Sequence, residues 1–276
     1  MLLINDRPIN HFFFSAGEVQ VKLPPIETER ATLTWCPINS DDIMMLLMTV
    51  NALKHAGISD VMLDILYLPY ARQDRVCSAG ESFSLEVMCG LLDNLNLTGI
   101  KLWDVHNEEE TFKLFDSTYI INTEVWETFK QYKVLDDFEL DNLILCAPDN
   151  GAMERVTQVC EKLDLWNPMF LDKKRNPDTG AIEGIQFHKH SRIPDGENIL
   201  IVDDICDGGR TFIEAAKLLR ERNVGKLYLY VTHGIFSNGL DDLLEHFEHI
   251  YCHHVLHAFN YISTDRLTIL KEFDYE

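Results

Sequence analysis

The chain has 276 residues, with 24 basic against 45 acidic side chains and a formal net charge of −21; at about 100–200 residues per domain, this is one large domain or two smaller ones. Apolar types make up 46% of the chain, enough for a substantial core, which argues against global disorder. The acidic balance argues against binding along a nucleic-acid backbone or on an anionic membrane face, since both need a basic surface, but it leaves room for a polyanionic small molecule held by a few local cations.

From the N-terminus, Phe12-Phe13-Phe14 runs into the turn Ser15-Ala-Gly-Glu18, and residues 19–23 alternate like a half-buried strand. Residues 31–36 predict another strand. Ser40-Asp41-Asp42 then supplies an N-cap and an acidic first turn for a helix over 43–55, which Gly57 closes. Residues 61–68 form a short apolar strand ending at Pro69, residues 82–92 have helical spacing, and 100–105 are again strand-like. A similar series starts near residue 135. It comprises strands at 143–147, 198–202 and 227–232, helices at 151–163, 211–222 and 239–247, and a final candidate strand at 255–260. Short strands alternating with longer helices predict a mainly parallel α/β architecture in two halves, 1–135 and 136–276. The charged, Pro- and Gly-containing stretch 172–195 is long for a simple connection and predicts a lid or small hairpin.

The seven cysteines are scattered and contain no Cys-x-x-Cys pair, as expected of reduced thiols in a cytoplasmic protein without a zinc or iron–sulfur site. The first residues lack a basic region followed by a long apolar one, and no window approaches 18 uninterrupted apolar residues, so neither a secretory leader nor a membrane span is expected.

Chemistry is suggested where strands end. After the apolar run Ile199-Leu-Ile-Val202 come Asp203 and Asp204, then a tight turn Asp207-Gly208-Gly209 opening into a helix with Arg210 and Thr211. Glycines let backbone amides approach an anion and a helix start favours negative charge, while the paired carboxylates can accept sugar hydroxyls or act through a metal. The plainer reading is that these acids only cap the next helix. Arg72, Gln73 and Arg75 follow the 61–68 strand and could serve polyphosphate oxygens and a base or sugar, or merely form local ion pairs. Asp104 and His106 have alternate spacing and could project to one side; His106 could face a metal or phosphate, although Mg²⁺ prefers oxygen and a packed histidine competes as an explanation. Asp149, after the 143–147 strand, is a candidate oxygen ligand for a metal. Lys173 and Arg175 could close over a transferring phosphoryl group, or be ordinary solvated charge. The tract containing His249, His253, His254 and His257 is expected at a surface or subunit contact, Trp126 and Trp166 as packing anchors, and Cys206 as a buried thiol.

In order and spacing these segments resemble the phosphoribosyl pyrophosphate synthetase (ribose-phosphate diphosphokinase) family. Phe14-Ser-Ala-Gly-Glu18 is similar to its F-S-[DN]-G-E turn, Tyr67 through Arg75 to its ATP-binding run, and Asp104-Val-His106 to its D-L-H segment. Pro148-Asp-Asn-Gly151 resembles P-D-x-G, Lys173-Lys-Arg175 the K-x-R start of the catalytic loop, and Val202 through Thr211 the sugar-phosphate loop; Thr232-His233-Gly234 resembles T-H-G. The resemblance covers about residues 12–260 and implies two stacked phosphoribosyltransferase-like α/β domains with mainly parallel central sheets.

It also implies transfer of the β,γ-diphosphate of ATP to the C1 hydroxyl of ribose 5-phosphate, with Mg²⁺ as cofactor, AMP as the other product, and a homodimer or higher homo-oligomer as the assembly. By the same resemblance Phe14, Glu18, Arg72 and Gln73 hold ATP, His106 and Asp149 are metal-linked, and Lys173, Arg175 and His106 are catalytic. Asp203, Asp204, Asp207, Gly208, Gly209, Arg210 and Thr211 take the sugar and its 5-phosphate. The pattern departs from the family where Asp207-Gly-Gly-Arg-Thr211 stands for D-T-[GC]-G-T and Ala16 replaces an acidic or amide residue. Arg210 could strengthen 5-phosphate binding, or reach the pyrophosphate of ADP-ribose as an alternative acceptor yielding ADP-ribose pyrophosphate. Two further alternatives are a catalytically inactive regulatory homologue, disfavoured because Lys173, Arg175 and His106 are all present, and a phosphoribosyltransferase, which has no need of the Arg72-Gln73 run.

Overall fold

The computed structural model describes residues 1–116, 119–165, 168–175, 182–256 and 264–271; the side chains of 174, 175, 182 and 183 are outside that description, as are the expected roles of Trp166, His257 and the Arg175 side chain. The chain forms two compact units, Met1–Thr123 and Glu124–Glu276.

In the first unit the elements are β1 (Leu2–Ile4), β2 (Arg7–Pro8), β3 (Asn10–Phe13), β4 (Val19–Lys22), β5 (Arg30–Trp35), α1 (Ser40–His55), β6 (Asp60–Ile65), α2 (Ser84–Asp93), β7 (Gly99–Trp103), α3 (Glu108–Lys113) and β8 (Ile120–Thr123). A six-stranded sheet runs β2-β1-β5-β6-β7-β8, parallel from β5 to β8, while β1 and β2 pair antiparallel. Separately, β3 and β4 pair as a hairpin whose Val19 and Val21 enter the core. Along α1, Leu46, Val50 and Leu53 recur at helical spacing and are buried against Leu33 and Leu63 of the sheet. Full burial of one such side chain is worth about 1.5–3 kcal/mol. The cap of α1 is Asn39 rather than Ser40: its side chain accepts from the amides of Asp41 and Asp42, and Asp42 answers the Asn39 amide in a capping box.

The second unit contains α4 (Val125–Tyr132), β9 (Leu143–Ala147), α5 (Met153–Lys162), β10 (Met169–Arg175), β11 (Ile182–Phe187), β12 (Asn198–Cys206), α6 (Arg210–Arg220), β13 (Leu227–Gly234), α7 (Asp241–Leu244), β14 (His249–Val255) and β15 (Leu267–Ile269). Its sheet runs β11-β10-β9-β12-β13-β14-β15, parallel except for β11. Both faces are covered, as parallel sheets require: Ile199 and Ile201 of β12 face the cluster containing α6, whereas Leu200 and Val202 face the one containing α5.

The α/β class and mainly parallel sheets agree with the sequence reading; several local expectations do not. The units divide before α4, earlier than the expected 135/136 boundary, because Val125, Phe129 and Val134 pack into the second unit's core. Most of the strand expected over 255–260 lies outside the described residues; the strand before it is His249–Val255, and His253 and His254 on it are fully buried rather than placed at a surface or subunit contact. The helix expected over 239–247 contracts to one turn at Asp241–Leu244. The stretch expected to be a lid or hairpin contains the β10–β11 hairpin.

Candidate functional site

Parallel strands present their carboxyl ends on one edge, where α/β sheets bind ligands. In the second unit, β10, β9 and β12 are neighbours in that order, so the residues at their ends meet. Lys173 Nζ lies 2.6 Å from Asp149 Oδ2, and Asp149 Oδ1 accepts the Gly151 amide at 2.9 Å. Pairing of β12 with β9 ends at Ile201 opposite Cys146, so Asp203 and Asp204 project beyond β9. The Arg155 guanidinium spans both carboxylates: Nη1 is 3.5 Å from Asp203 Oδ1 and Nη2 is 3.8 Å from Asp204 Oδ2. Burial and the neighbouring Asp204 carboxylate push the Asp203 carboxyl well above the usual carboxylate range, with Arg155 opposing them.

The β12–α6 turn is held from the side. Ser237 Oγ donates to Asp207 Oδ1 at 2.7 Å, and Asn238 Nδ2 donates to the Gly208 carbonyl at 3.1 Å. Gly209 has φ +77°, and a Cβ there would press on the Leu243 side chain at 3.1 Å, so this position needs glycine both for conformation and for space. Arg210 opens α6 and is exposed; Thr211 is partly buried. Cys206 is buried and its thiol is pushed far up by desolvation, which fits a packing role.

The first unit carries the remaining candidates. Arg72 and Gln73 are exposed in a turn after β6, where the Gln73 amide donates to the Tyr70 carbonyl. Asn107 Nδ2 donates to Asp74 Oδ2 at 2.7 Å, tying this turn to the segment bearing His106. Asp104 and His106 do not project together: Asp104 has φ +41° and is buried, while His106 is exposed, because the chain leaves β7 at Trp103. Phe14 and Glu18 flank the β3–β4 turn, the Phe14 amide donating to the Glu18 carbonyl at 2.9 Å, and both side chains are exposed.

Among the described residues no group of three or more His, Cys, Asp or Glu side chains is arranged to hold a metal ion. A single carboxylate such as Asp149 would suit a Mg²⁺ ion that takes most of its ligands from phosphate and water, since such an ion needs only one or two carboxylates. No helix among the described residues is long and apolar enough to cross a membrane.

Residues 9–95 match the family model for the N-terminal domain of ribose phosphate pyrophosphokinase, and residues 128–243 match the phosphoribosyl transferase domain. The ribose-phosphate pyrophosphokinase of Thermococcus kodakarensis is 33% identical over 202 residues, which cover 72% of this chain and 67% of that protein. The chain belongs to the ribose-phosphate pyrophosphokinase family. A relative from Thermosipho africanus is 28% identical over 240 residues, 85% of this chain and 73% of its own. The fold matches the crystal structure of phosphoribosylpyrophosphate synthetase from Mycobacterium smegmatis with a TM-score of 0.76 at 19% identity, over 95% of this chain and 85% of that one.

Sequence reasoning missed three residues of this pyrophosphokinase-family site. Arg155 lies in the first turn of the helix that follows the Asp149 strand-end, and that place was a usable signal. Ser237 and Asn238 left no local signal, because their partners are 30 residues away in sequence.

Proposed function

We propose that the protein transfers the β,γ-diphosphate of ATP to the C1 hydroxyl of ribose 5-phosphate. The C1 oxygen attacks the β-phosphorus, the bond from the β-phosphorus to the bridging oxygen breaks, and AMP leaves with that electron pair while the hydroxyl proton passes to solvent. The observation that carries this reading is the convergence at one sheet edge of a lysine, a carboxylate suited to Mg²⁺, two sugar-facing carboxylates and a glycine turn opening a helix, in a chain of this family. Asp203 and Asp204 accept sugar hydroxyls, and the 207–211 turn receives the 5-phosphate through its amides and Thr211. Lys173, with Arg175, neutralises charge developing on the transferred group. Arg72 and Gln73 contact ATP, Phe14 and Glu18 hold its base, and His106 faces the polyphosphate or its metal. Asp149 would hold a Mg²⁺ ion bound with ATP, which would supply charge neutralisation against the repulsion met by the incoming oxygen. The half-exposed rings of Phe12, Phe13 and Phe14 favour a homo-oligomer that covers them, and seven free cysteines favour a reducing compartment such as the cytoplasm.

One observation favours a second acceptor. Arg210 is an exposed cation beside the phosphate turn, where the family pattern has a small residue, and ADP-ribose would offer it a second phosphate. The test is to incubate the protein with ATP and Mg²⁺ and either ribose 5-phosphate or ADP-ribose, and to identify both products by mass spectrometry. AMP with a diphosphate-bearing ribose 5-phosphate supports the first reading, and AMP formed only with ADP-ribose replaces it with the second. Absence of AMP in both arms overturns transfer to either acceptor.

A further inference from the structure

The Asp203–Asp204 pair poses a physical problem that the reaction alone does not solve. Two adjacent carboxylates sit at the end of one strand with side chains only 14% and 7% exposed. Like charges this close and this dry do not both ionise readily, and burial together with Asp204 pushes the Asp203 carboxyl up. A protonated carboxyl accepts fewer hydrogen bonds, and a sugar diol needs acceptors. Backbone amides give limited help: Asp204 N donates to Asp203 Oδ1, and Ile205 N to Asp204 Oδ1, each at 2.9 Å.

The geometry points to Arg155 as the positioning residue of this site: it lies across both carboxylates, offsets their mutual repulsion and holds them in place, and so sets them to receive the sugar diol. This rests on the functional reading above. The guanidinium is suited to the task, being planar and permanently charged and presenting separate nitrogens to Asp203 and Asp204. Its side chain is 12% exposed, so its charge is weakly screened. It is also held rigidly, because α5 is anchored through Val156 and Val159, which pack against the core that includes Leu200 and Val202 of β12. The helix that carries the cation and the strand that carries the anions therefore share one apolar contact. The cation beside Asp149 is a different one, Lys173, so the two roles separate: Lys173 serves the transferred group and Arg155 the acceptor's carboxylates.

The experiment compares Arg155→Met, which keeps length and removes charge, with Arg155→Lys, using steady-state kinetics for both substrates and thermal melts of the unligated protein. Arg155→Met is expected to raise the acceptor KM at least ten-fold with little change in the KM for ATP, and Arg155→Lys to recover part of that loss. In melts, Arg155→Met is expected to lower Tm in the wild-type background and to lower it far less when Asp203→Asn and Asp204→Asn are both present. An unchanged acceptor KM in a folded Arg155→Met protein would overturn the inference. So would equal increases in both KM values, or an equal Tm loss in both backgrounds, which would mark Arg155 as general packing. A wild-type protein that forms no AMP would break the functional reading instead, and the melts would still decide whether Arg155 acts on this carboxylate pair.

Discussion

The two units arrange their charged groups in opposite ways. At the sheet edge of the second, Lys173 pairs with Asp149, Arg155 spans Asp203 and Asp204, and Ser237 fixes Asp207, with most of these side chains partly or wholly buried. In the first, Arg72, Gln73 and His106 stand exposed on turns joined through the Asn107–Asp74 hydrogen bond. Burial strengthens electrostatic interactions and fixes geometry, but it costs folding free energy; exposed groups cost little and interact weakly until a ligand displaces their water. The second unit thus holds its charged groups in set pairs, whereas those of the first stand in water; under the proposed function this suits the second to fixed chemistry and the first to capture of a flexible polyanion.

The largest effect expected from this contrast is on Lys173. Lys173→Ala should lower kcat by about 10²–10³-fold in single-turnover assays, the usual loss when one stabilising donor is removed from a closed site. Near-normal turnover would remove Lys173 from the reaction. Arg72→Ala should act more gently and on a different parameter, raising the KM for ATP roughly ten-fold, as for one hydrogen bond to a charged group, with kcat little changed. A kcat loss as large as that of Lys173→Ala would erase the distinction between the units.

Stability offers a finer test. The folded state raises the Asp203 pKa, so this group stabilises the fold below its unfolded value and loses that contribution as pH rises through the folded value. Asp203→Asn should therefore melt higher than wild type near neutral pH, with the gap widening as pH rises, even as sugar binding is lost. A lower Tm at every pH would show that the carboxylate is not the costly element assumed here.

The smallest effect concerns the buried imidazoles. His233 Nδ1 lies 3.2 Å from His254 Nε2, and His253 Nδ1 lies 3.1 Å from His254 Nδ1. Burial, with His233, His253 and Lys271 around it, pushes the His254 pKa well below its ordinary value. A depressed histidine contributes stability that is present above the unfolded value of about 6.5 and is lost as pH falls below it. Urea midpoints measured from pH 8 to pH 5.5 should therefore fall more steeply for wild type than for His254→Asn. Parallel slopes would contradict this.

How much of this was legible in the sequence depended on whether a residue's role was local. The 199–211 run declared a buried strand, two acids and a glycine turn, because all of these follow one another along the chain; β12 and α6 begin about where that pattern puts them, but β12 runs past 202 through both acids to Cys206. The α1 cap was misplaced by one residue because Asn39, Ser40 and Asp41 are all plausible caps and only the hydrogen bonds distinguish them. The histidines of β14 read as a surface or subunit contact, since nothing local announces that this strand lies inside the sheet beside β13. Arg155, Ser237 and Asn238 gain their roles only from contacts across the fold.

The proposed reaction is attack of a sugar C1 oxygen on the β-phosphorus of ATP. It is tested most directly by supplying ribose 5-phosphate labelled with oxygen-18 in the C1 hydroxyl, together with ATP and Mg²⁺, and following the products by phosphorus NMR and mass spectrometry. The account predicts unlabelled AMP in amounts equal to a new C1 diphosphate ester that holds the label in its C1–O–P bridge. ADP as the nucleotide product, or label recovered in AMP, would contradict it.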